Sequence, residues 1–420
     1  MSYAPITVID SYVSYLNNTA QKLTNIKNQL YDEYTDNNSD TDTDTDNIFN
    51  IVNQNLEIKY NEMLPDITNQ IEIFQSRTIN QLYNFYQTGI THTQLDELIK
   101  VQLLDQINMF ALNTQIDYHP GSNNKVRDLV HPSVYPYVKG KKSKPKKVDF
   151  FKRPYESSKY QWLPSEFKID SASNCEITSY INNLPPSENL MYESIRKLFQ
   201  KILPEFENAY SYVNSVKIFD VKENLYGSDK IQLTKLYLAN RKLQVITKIV
   251  QVTLGPGESL PGSWHVEGMS HENIIATASC TLEQPDGFNV NLFFKRNYYE
   301  EEAGYLMMNT SQYPPDPVYT LYHERLVPVG KAEIKSGSLV VFPNNFIHKV
   351  DMHNSTDAPL TRTILVFWLV NPDEKIKSTK DILQQDYDWG EVEKVRLELM
   401  KERTFYKQTF NQREINLCEH

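Results

Sequence analysis

The chain has 420 residues, a formal charge of −10 and a sequence pI near 5.5, a balance that argues against a nucleic-acid platform spread over the whole surface. Hydrophobic residues make up 40%, with 27 Tyr and 18 Phe, enough core for one large domain with extensions or for two to three smaller ones. The three cysteines, Cys175, Cys280 and Cys418, are odd in number and form no CxxC pair, so neither a zinc ribbon nor a disulfide framework is indicated, and a reducing compartment fits best.

Met1 to Tyr12 lacks a basic stretch followed by an apolar run, so no signal peptide is expected. The longest strongly apolar run, Ile364 to Val370, is too short to span a bilayer. The expectation is a soluble intracellular protein with no membrane partner. Residues 1–115 read as a helical N-terminal region, with Ile79, Leu82, Tyr83 and Tyr86 at helical spacing and Ile71 and Phe74 extending the same face. Within it, 36–47 holds an acidic low-complexity run, Asp40 to Asp46 alternating with Thr, that cannot bury apolar surface and reads as a solvated loop. No Gly or closing Glu follows to make an EF-hand of it.

Residues 116–230 read as an α-rich lobe. His131-Pro132-Ser133-Val134-Tyr135-Pro136 carries too much proline for a helix. The basic run Lys139 to Lys147 reads first as a solvated loop and second as a nuclear-import signal or phosphate-contacting patch; no aromatic residue interleaves it for base stacking. A helix is predicted from Glu188 to Lys201, ending before Pro204, and a second from Glu205 to Val213.

From 231 to 375 the period switches to strands. Leu243 to Val252 reads as a strand buried on much of both faces. Further strands are expected at Asn273–Leu282, Phe288–Lys295, Val318–Leu326, Gly337–Phe342, Ile347–Met352 and Thr361–Val370. Short strands at this spacing, parted by turn signals, suggest a sandwich or jelly roll, and cupin-type jelly rolls hold metal in the mouth of the barrel. Residues 376–420 turn helical again, with Val392, Val395, Leu399 and Met400 as the apolar face of a helix over Trp389 to Phe405.

The chemistry gathers around Ser263-Trp264-His265-Val266-Glu267. On a strand, His265 and Glu267 point to one face with Cα atoms about 6.5 Å apart, a gap one metal ion can bridge. His348, between a Pro-Asn turn and the next strand, would complete a 2-His-1-carboxylate triad, the pattern of non-haem Fe(II) oxygenases. Arg362 heads a strongly apolar strand, where its guanidinium is costly unless a carboxylate pairs with it. The C5 carboxylate of 2-oxoglutarate would serve, with the oxo acid end on the iron. Each residue alone has a plainer reading: His-x-Glu is common, His348 suits a core histidine, and Arg362 could pair with any structural acid. Their order and spacing together favour the site. His271, His323 and His353 are weaker ligand candidates, and metal binding by Cys418-Glu419-His420 weaker still.

These residues resemble the family called domain of unknown function 4246. The match runs through His131 to Pro136, Ser179-Tyr180-Ile181-Asn182-Asn183-Leu184, Trp264-His265-Val266-Glu267-Gly268-Met269, Ile275 to Ala278, Phe342-Pro343-Asn344, Arg362 to Leu365, Leu399 to Arg403 and the terminal Leu417 to His420. The resemblance implies an α+β protein with a double-stranded β-helix core (jelly roll, cupin-like) and N- and C-terminal helical extensions. It implies iron ligands His265, Glu267 and His348, and Arg362 as anchor of the co-substrate 2-oxoglutarate, with Thr277 a candidate second contact. The reaction implied consumes O2 and 2-oxoglutarate, gives succinate and CO2, and hydroxylates or demethylates a substrate that the sequence does not name. Trp264, Phe294 and Tyr298 read as core first and as pocket walls second. Two alternatives stand beside this reading: a catalytically silent jelly roll used as a binding scaffold, and a cupin-like metalloprotein that takes no oxo acid.

Overall fold

The computed structural model describes residues 89–139, 159–220, 228–232, 234–297, 326–382, 389–410 and 415–416. The acidic run, the predicted helical positions before residue 88, the basic run from Gly140 to Lys147, Tyr298, His323 and Cys418 to His420 lie outside the described residues.

The first half supplies β1 (Thr91–Gln94), α1 (Glu97–Asn113) and β2 (Val126–Val130). Next come β3 (Tyr137–Val138), which pairs with β4 (Tyr160–Gln161), then β5 (Ser165–Ile169), β6 (Cys175–Ile177) and α2 (Asn189–Val213). A hairpin, β7 (Val216–Asp220) with β8 (Ser228–Gln232), leads into the strand-rich half. There follow β9 (Lys242–Leu254), β10 (Ser259–Pro261), β11 (Trp264–His265), β12 (Ile274–Glu283), β13 (Phe288–Asn297), β14 (Leu326–Ile334), β15 (Ser338–Pro343), β16 (Ile347–Asn354) and β17 (Leu360–Val370). Helix α3 (Trp389–Phe410) and β18 (Ile415–Asn416) complete the order. No described helix is long and apolar enough to cross a membrane.

The strands form mostly antiparallel sheet. The larger sheet runs β1-β15-β12-β17-β9-β5-β6, with β2 also on β9; the smaller runs β14-β13-β16-β11-β18, with β10 on β16. From β9 onward the chain alternates between them: β9, β12, β15 and β17 lie in the larger, β10–β11, β13–β14 and β16 in the smaller. The thirteen residues of β9 are buried on both faces, as the unbroken apolar run requires. One face, with Leu243, Val245 and Ile249, packs under α1 and α2. The other, with Val250 and Val252, shares a cluster with Leu292 and Phe294 of the smaller sheet. Two layers of sheet with helices on one outer face follow from that double burial.

One sequence expectation needs correction. Helix α2 does not stop at Pro204 but runs through it as one helix of 25 residues. Pro204 is exposed, while Leu198, Phe199, Ile202, Leu203 and Phe206 are buried on both sides of it, so packing outweighs the lost backbone bond. Of the strand expected at Val318–Leu326, all but Leu326 lies outside the described residues; β14 itself covers Leu326–Ile334, a stretch that Pro328 and Gly330 disguise. It pairs only with β13 within its sheet, with a register shift at Phe294/Lys295, and such an edge tolerates proline.

Candidate metal centre

His265 and His348 are direct register partners across β11 and β16. Their rings lie 4.3 Å apart between centroids, tilted by 52°. The backbone of Gly262, just before β11, runs so close to β16 that a Cβ would meet Val350 O at 2.3 Å, so this crossing requires glycine. Glu267 follows β11 in a short loop. Its Oε1 lies 3.3 Å from His348 Nε2 and 3.7 Å from His265 Nε2. One ligand atom from each of the three fits within 4.8 Å of the others.

Hydrogen bonding fixes which nitrogens converge. His265 Nδ1 donates to Ser263 O at 2.8 Å, and His348 Nδ1 to Phe346 O at 3.3 Å. A carbonyl only accepts, so each ring carries a proton on Nδ1 and turns Nε2 inward, as a donor to Glu267 when protonated and as a lone pair when not. Two Nε2 atoms and a carboxylate then face one another, an arrangement that protons on the rings or a metal cation in their place make favourable. Burial raises the Glu267 carboxyl pKa, but hydrogen bonds and charge from His265 and His348 outweigh it and hold the group far below the usual carboxylate range. Burial, then the neighbouring His265, lowers His348 from its ordinary value. The Glu267 backbone is held from β15's end: Asn344 Oδ1 accepts from Glu267 N at 2.8 Å, and Asn344 Nδ2 donates to Glu267 O at 2.9 Å and Ile274 O at 3.1 Å.

A cavity of about 100 Å3 opens beside the triad, between the two sheets. His265, Glu267, Thr277, His348 and Arg362 all line it, together with Lys248. The structure thus brings the five sequence-predicted site residues to one cavity. Arg362 is 3% exposed and donates from Nη2 to Thr281 Oγ1 at 3.0 Å, while its Nε has no partner. Burial alone pushes it down to about 9, and no described carboxylate pairs with it. Thr277 Oγ1 and Trp368 Nε1, register partners on β12 and β17, are likewise buried without partners. The weaker ligand candidates are spent elsewhere: His271 Nε2 contacts Tyr160 O at 2.8 Å, and exposed His353 contacts Ser259 Oγ at 3.0 Å. Phe294 packs against Phe342 at 5.0 Å in the apolar cluster, and Trp264 lies under Lys295 Nζ at 4.1 Å.

Asn344, Lys248 and Trp368 were not predicted as site residues. The Pro343-Asn344 turn before His348 was the available signal for the first. A lysine inside an apolar strand was the signal for the second.

A second buried group, His119, Asp128 and His131, also brings three ligand atoms together. Asp128 is already committed there: it accepts from Arg396 and faces His119 Nδ1 at 2.9 Å. Arg396 also bridges both oxygens of Asp117, at 2.9 and 2.8 Å, and the Lys248 charge acts on Asp128 as well. Two carboxylates and two cations already balance, so a divalent ion would add uncompensated buried charge. The group is a charge network tying α3 to β2.

Comparison with known proteins identifies the family. The sequence matches the family described as "Protein of unknown function (DUF4246)" over residues 46–225 and 214–393. The chain belongs to that family. No curated protein matches it. Among solved structures, IDO from Bacillus thuringiensis shares 10% identity, with 72% of this chain and 99% of that chain covered and a TM-score of 0.31. The non-heme alpha ketoglutarate dependent epimerase SnoN from nogalamycin biosynthesis shares 10%, with 74% and 89% covered and a TM-score of 0.30. An oxidoreductase of the 2OG-Fe(II) oxygenase family from Burkholderia pseudomallei shares 10%, with 70% and 92% covered and a TM-score of 0.27. What this DUF4246 member does is read from its own cavity.

Proposed function

We propose that this chain is a 2-oxoglutarate- and Fe(II)-dependent oxygenase built on a double-stranded β-helix. One observation carries the reading: three converging ligand residues and a buried guanidinium with no described carboxylate partner line the same cavity. The donor set, two imidazoles and a carboxylate, is the kind that holds iron with positions left open. The unpaired guanidinium wants a carboxylate. The alternation of strands between the two sheets supports the double-stranded β-helix.

His265, Glu267 and His348 would hold the iron, and Arg362 the C5 carboxylate of 2-oxoglutarate; Thr277 would donate its hydroxyl to the oxo acid. Bound iron with O2 and the oxo acid supplies the oxidation of a substrate C–H bond, with release of succinate and CO2. The chain's residues set the conditions. The two Nδ1–H bonds to backbone carbonyls keep Nε2 of both imidazoles aimed at the metal position, and Asn344 fixes the Glu267 peptide. Leu260, Val350, Ile364 and Val366 wall the cavity and exclude water from it.

The test is an anaerobic titration of the metal-free protein with Fe(II) and 2-oxoglutarate, reading the visible iron-to-oxo-acid charge-transfer band. A band in the native protein, absent in His265→Ala and weakened in Arg362→Met, is expected. Iron binding without a band would favour a cupin-like metalloprotein. Absence of iron binding would leave a binding scaffold.

A further inference from the structure

Helix α3 buries two arginines on one stripe. Val392, Arg396, Leu399 and Arg403 recur at helical spacing and are 3%, 2%, 0% and 1% exposed. Arg396 reaches the Asp117–Asp128 network, and Leu399 joins the cluster of Trp162, Ile246 and Trp368 at the end of the larger sheet. Arg403 goes elsewhere. Its guanidinium lies 4.1 Å from the Trp162 ring centroid and donates to Glu272 Oε1.

Glu272 is fully buried and gathers three donors: Arg403, Trp162 N at 2.7 Å and Met269 N at 2.7 Å. Met269 stands two residues after Glu267. Gly268 between them has φ +65°, and a Cβ there would meet Glu272 Oε2 at 2.8 Å. The loop leaving Glu267 is therefore folded onto the Glu272 carboxylate, and that carboxylate is tolerable in the interior because a cation from α3 neutralises it. The segment after α3 reaches the same region again. β18 runs parallel to β11, with Trp264 opposite Ile415 and His265 opposite Asn416. The C-terminal segment thus meets the ligand-bearing stretch 264–269 at both its strand and its loop.

We infer that Arg403 is a positioning residue for the metal centre. Through Glu272 it fixes the Glu267–Met269 loop, and with it the carboxylate facing His265 and His348. Arg396, on the same helix face, anchors the helix without touching that loop. The inference rests on the metal-binding reading above, but one arm of its test is independent of it.

The experiment compares native protein with Arg403→Met and Arg396→Met in two measurements. The first is hydrogen exchange of the metal-free protein, read on peptides spanning 264–273. The second is Co(II) titration followed by its visible spectrum. Arg403→Met is expected to speed exchange at the Met269 amide and weaken Co(II) binding about 10- to 100-fold, as loss of an outer partner to a ligand does. Arg396→Met, matched for its loss in Tm, is expected to leave both within about threefold of native. Native exchange and native Co(II) affinity in a folded Arg403→Met would overturn the inference, as would equal losses in both variants. Should Arg403→Met fail to fold, Arg403→Lys carries the test. Lysine keeps the charge but lacks the planar fork, and about a tenfold loss of affinity is expected against none if Arg403 merely docks the helix. If native protein binds no Co(II), the metal reading fails, and the exchange arm alone decides the role of Arg403.

Discussion

Arg362 bears an electrostatic cost that no neighbour offsets. Its guanidinium is buried beside one threonine hydroxyl, and its Nε has no acceptor. An unpaired buried charge opposes folding, and the proposed role as anchor of a carboxylate would account for it. Arg362→Met is expected to raise the stability of the ligand-free protein by about 1–3 kcal/mol, read from urea midpoints, and to lack the rise in Tm that 2-oxoglutarate is expected to give the native protein. A drop in ligand-free stability would instead make the Thr281 contact structural. Asn344 works in the opposite direction, since one amide satisfies both the N–H and the C=O of Glu267. Asn344→Ala strands those two groups and should cost about 1–3 kcal/mol together with a 10- to 100-fold loss of Co(II) affinity, measured by melting and titration of the same sample. At this scale the four central residues were legible from residue type and spacing, a His-x-Glu with a distant histidine and an arginine heading an apolar strand. The shared strand face expected of His265 and Glu267 is not found, since β11 ends at His265 and Glu267 lies in the loop after it. The role of Asn344 was not legible, although the Pro343-Asn344 turn was visible, because the turn does not say whose backbone the side chain serves.

At the scale of elements, periodicity found the long strands and missed what runs against propensity. β14 carries Pro328 and Gly330, and β1, β2 and β5 are four or five residues long, too short for a period of 2 to declare itself. Helix α3 was assigned an apolar face of Val392, Val395, Leu399 and Met400, but the buried stripe alternates Val392 and Leu399 with Arg396 and Arg403. Arginine reads as solvated unless its carboxylate partner is known, and Asp128 and Glu272 lie more than a hundred residues away in sequence. Helix α2 gives the converse error, where a correct local rule is overruled by packing. Pro204 sits exposed in mid-helix, and Gln200, four residues before it, gets no N–H to its carbonyl from that position. Pro204→Ala restores that bond and leaves every buried side chain of the helix in place. It is expected to stabilise the protein by about 1–3 kcal/mol in chemical denaturation, the gain from the helix exceeding the entropy returned to the unfolded chain. A loss of stability would mean that the proline sets a bend on which the α1–α2 packing depends.

The molecule as a whole sandwiches its larger sheet between helices and a second sheet, and the consequence is that several histidines sit where water does not reach. Burial lowers His131 well below its ordinary value, with Lys248, Arg396 and His119 acting in the same direction and Asp128 against them. Burial also lowers His271, against the pull of Glu272, and His348 is lowered by burial and by His265. A histidine whose folded pKa lies below its unfolded value of about 6.5 contributes stability that is complete above that pH. As pH falls, the unfolded chain takes the proton first, and stability declines by up to about 1.4 kcal/mol per pH unit for each such group until the folded pKa is reached. The carboxylates of Glu267 and Glu272 are lowered as well, so their contribution persists above about pH 4.3 and is lost only in more acid solution. Two windows therefore separate, the histidines governing the first decline below neutrality. Urea midpoints of metal-free protein at pH 7.5, 6.5, 5.5 and 4.5 should show that decline beginning near pH 6.5. His131→Asn keeps an acceptor for the Ser133 N–H, which His131 Nδ1 takes at 3.1 Å, and removes one titrating group. Its stability should fall less steeply between pH 6.5 and 5 by about one proton's worth of slope, whatever its absolute stability. An unchanged slope would mean that His131 is protonated in the folded protein, paired with Asp128, and that the network around Arg396 carries one more positive charge than the balance drawn for it.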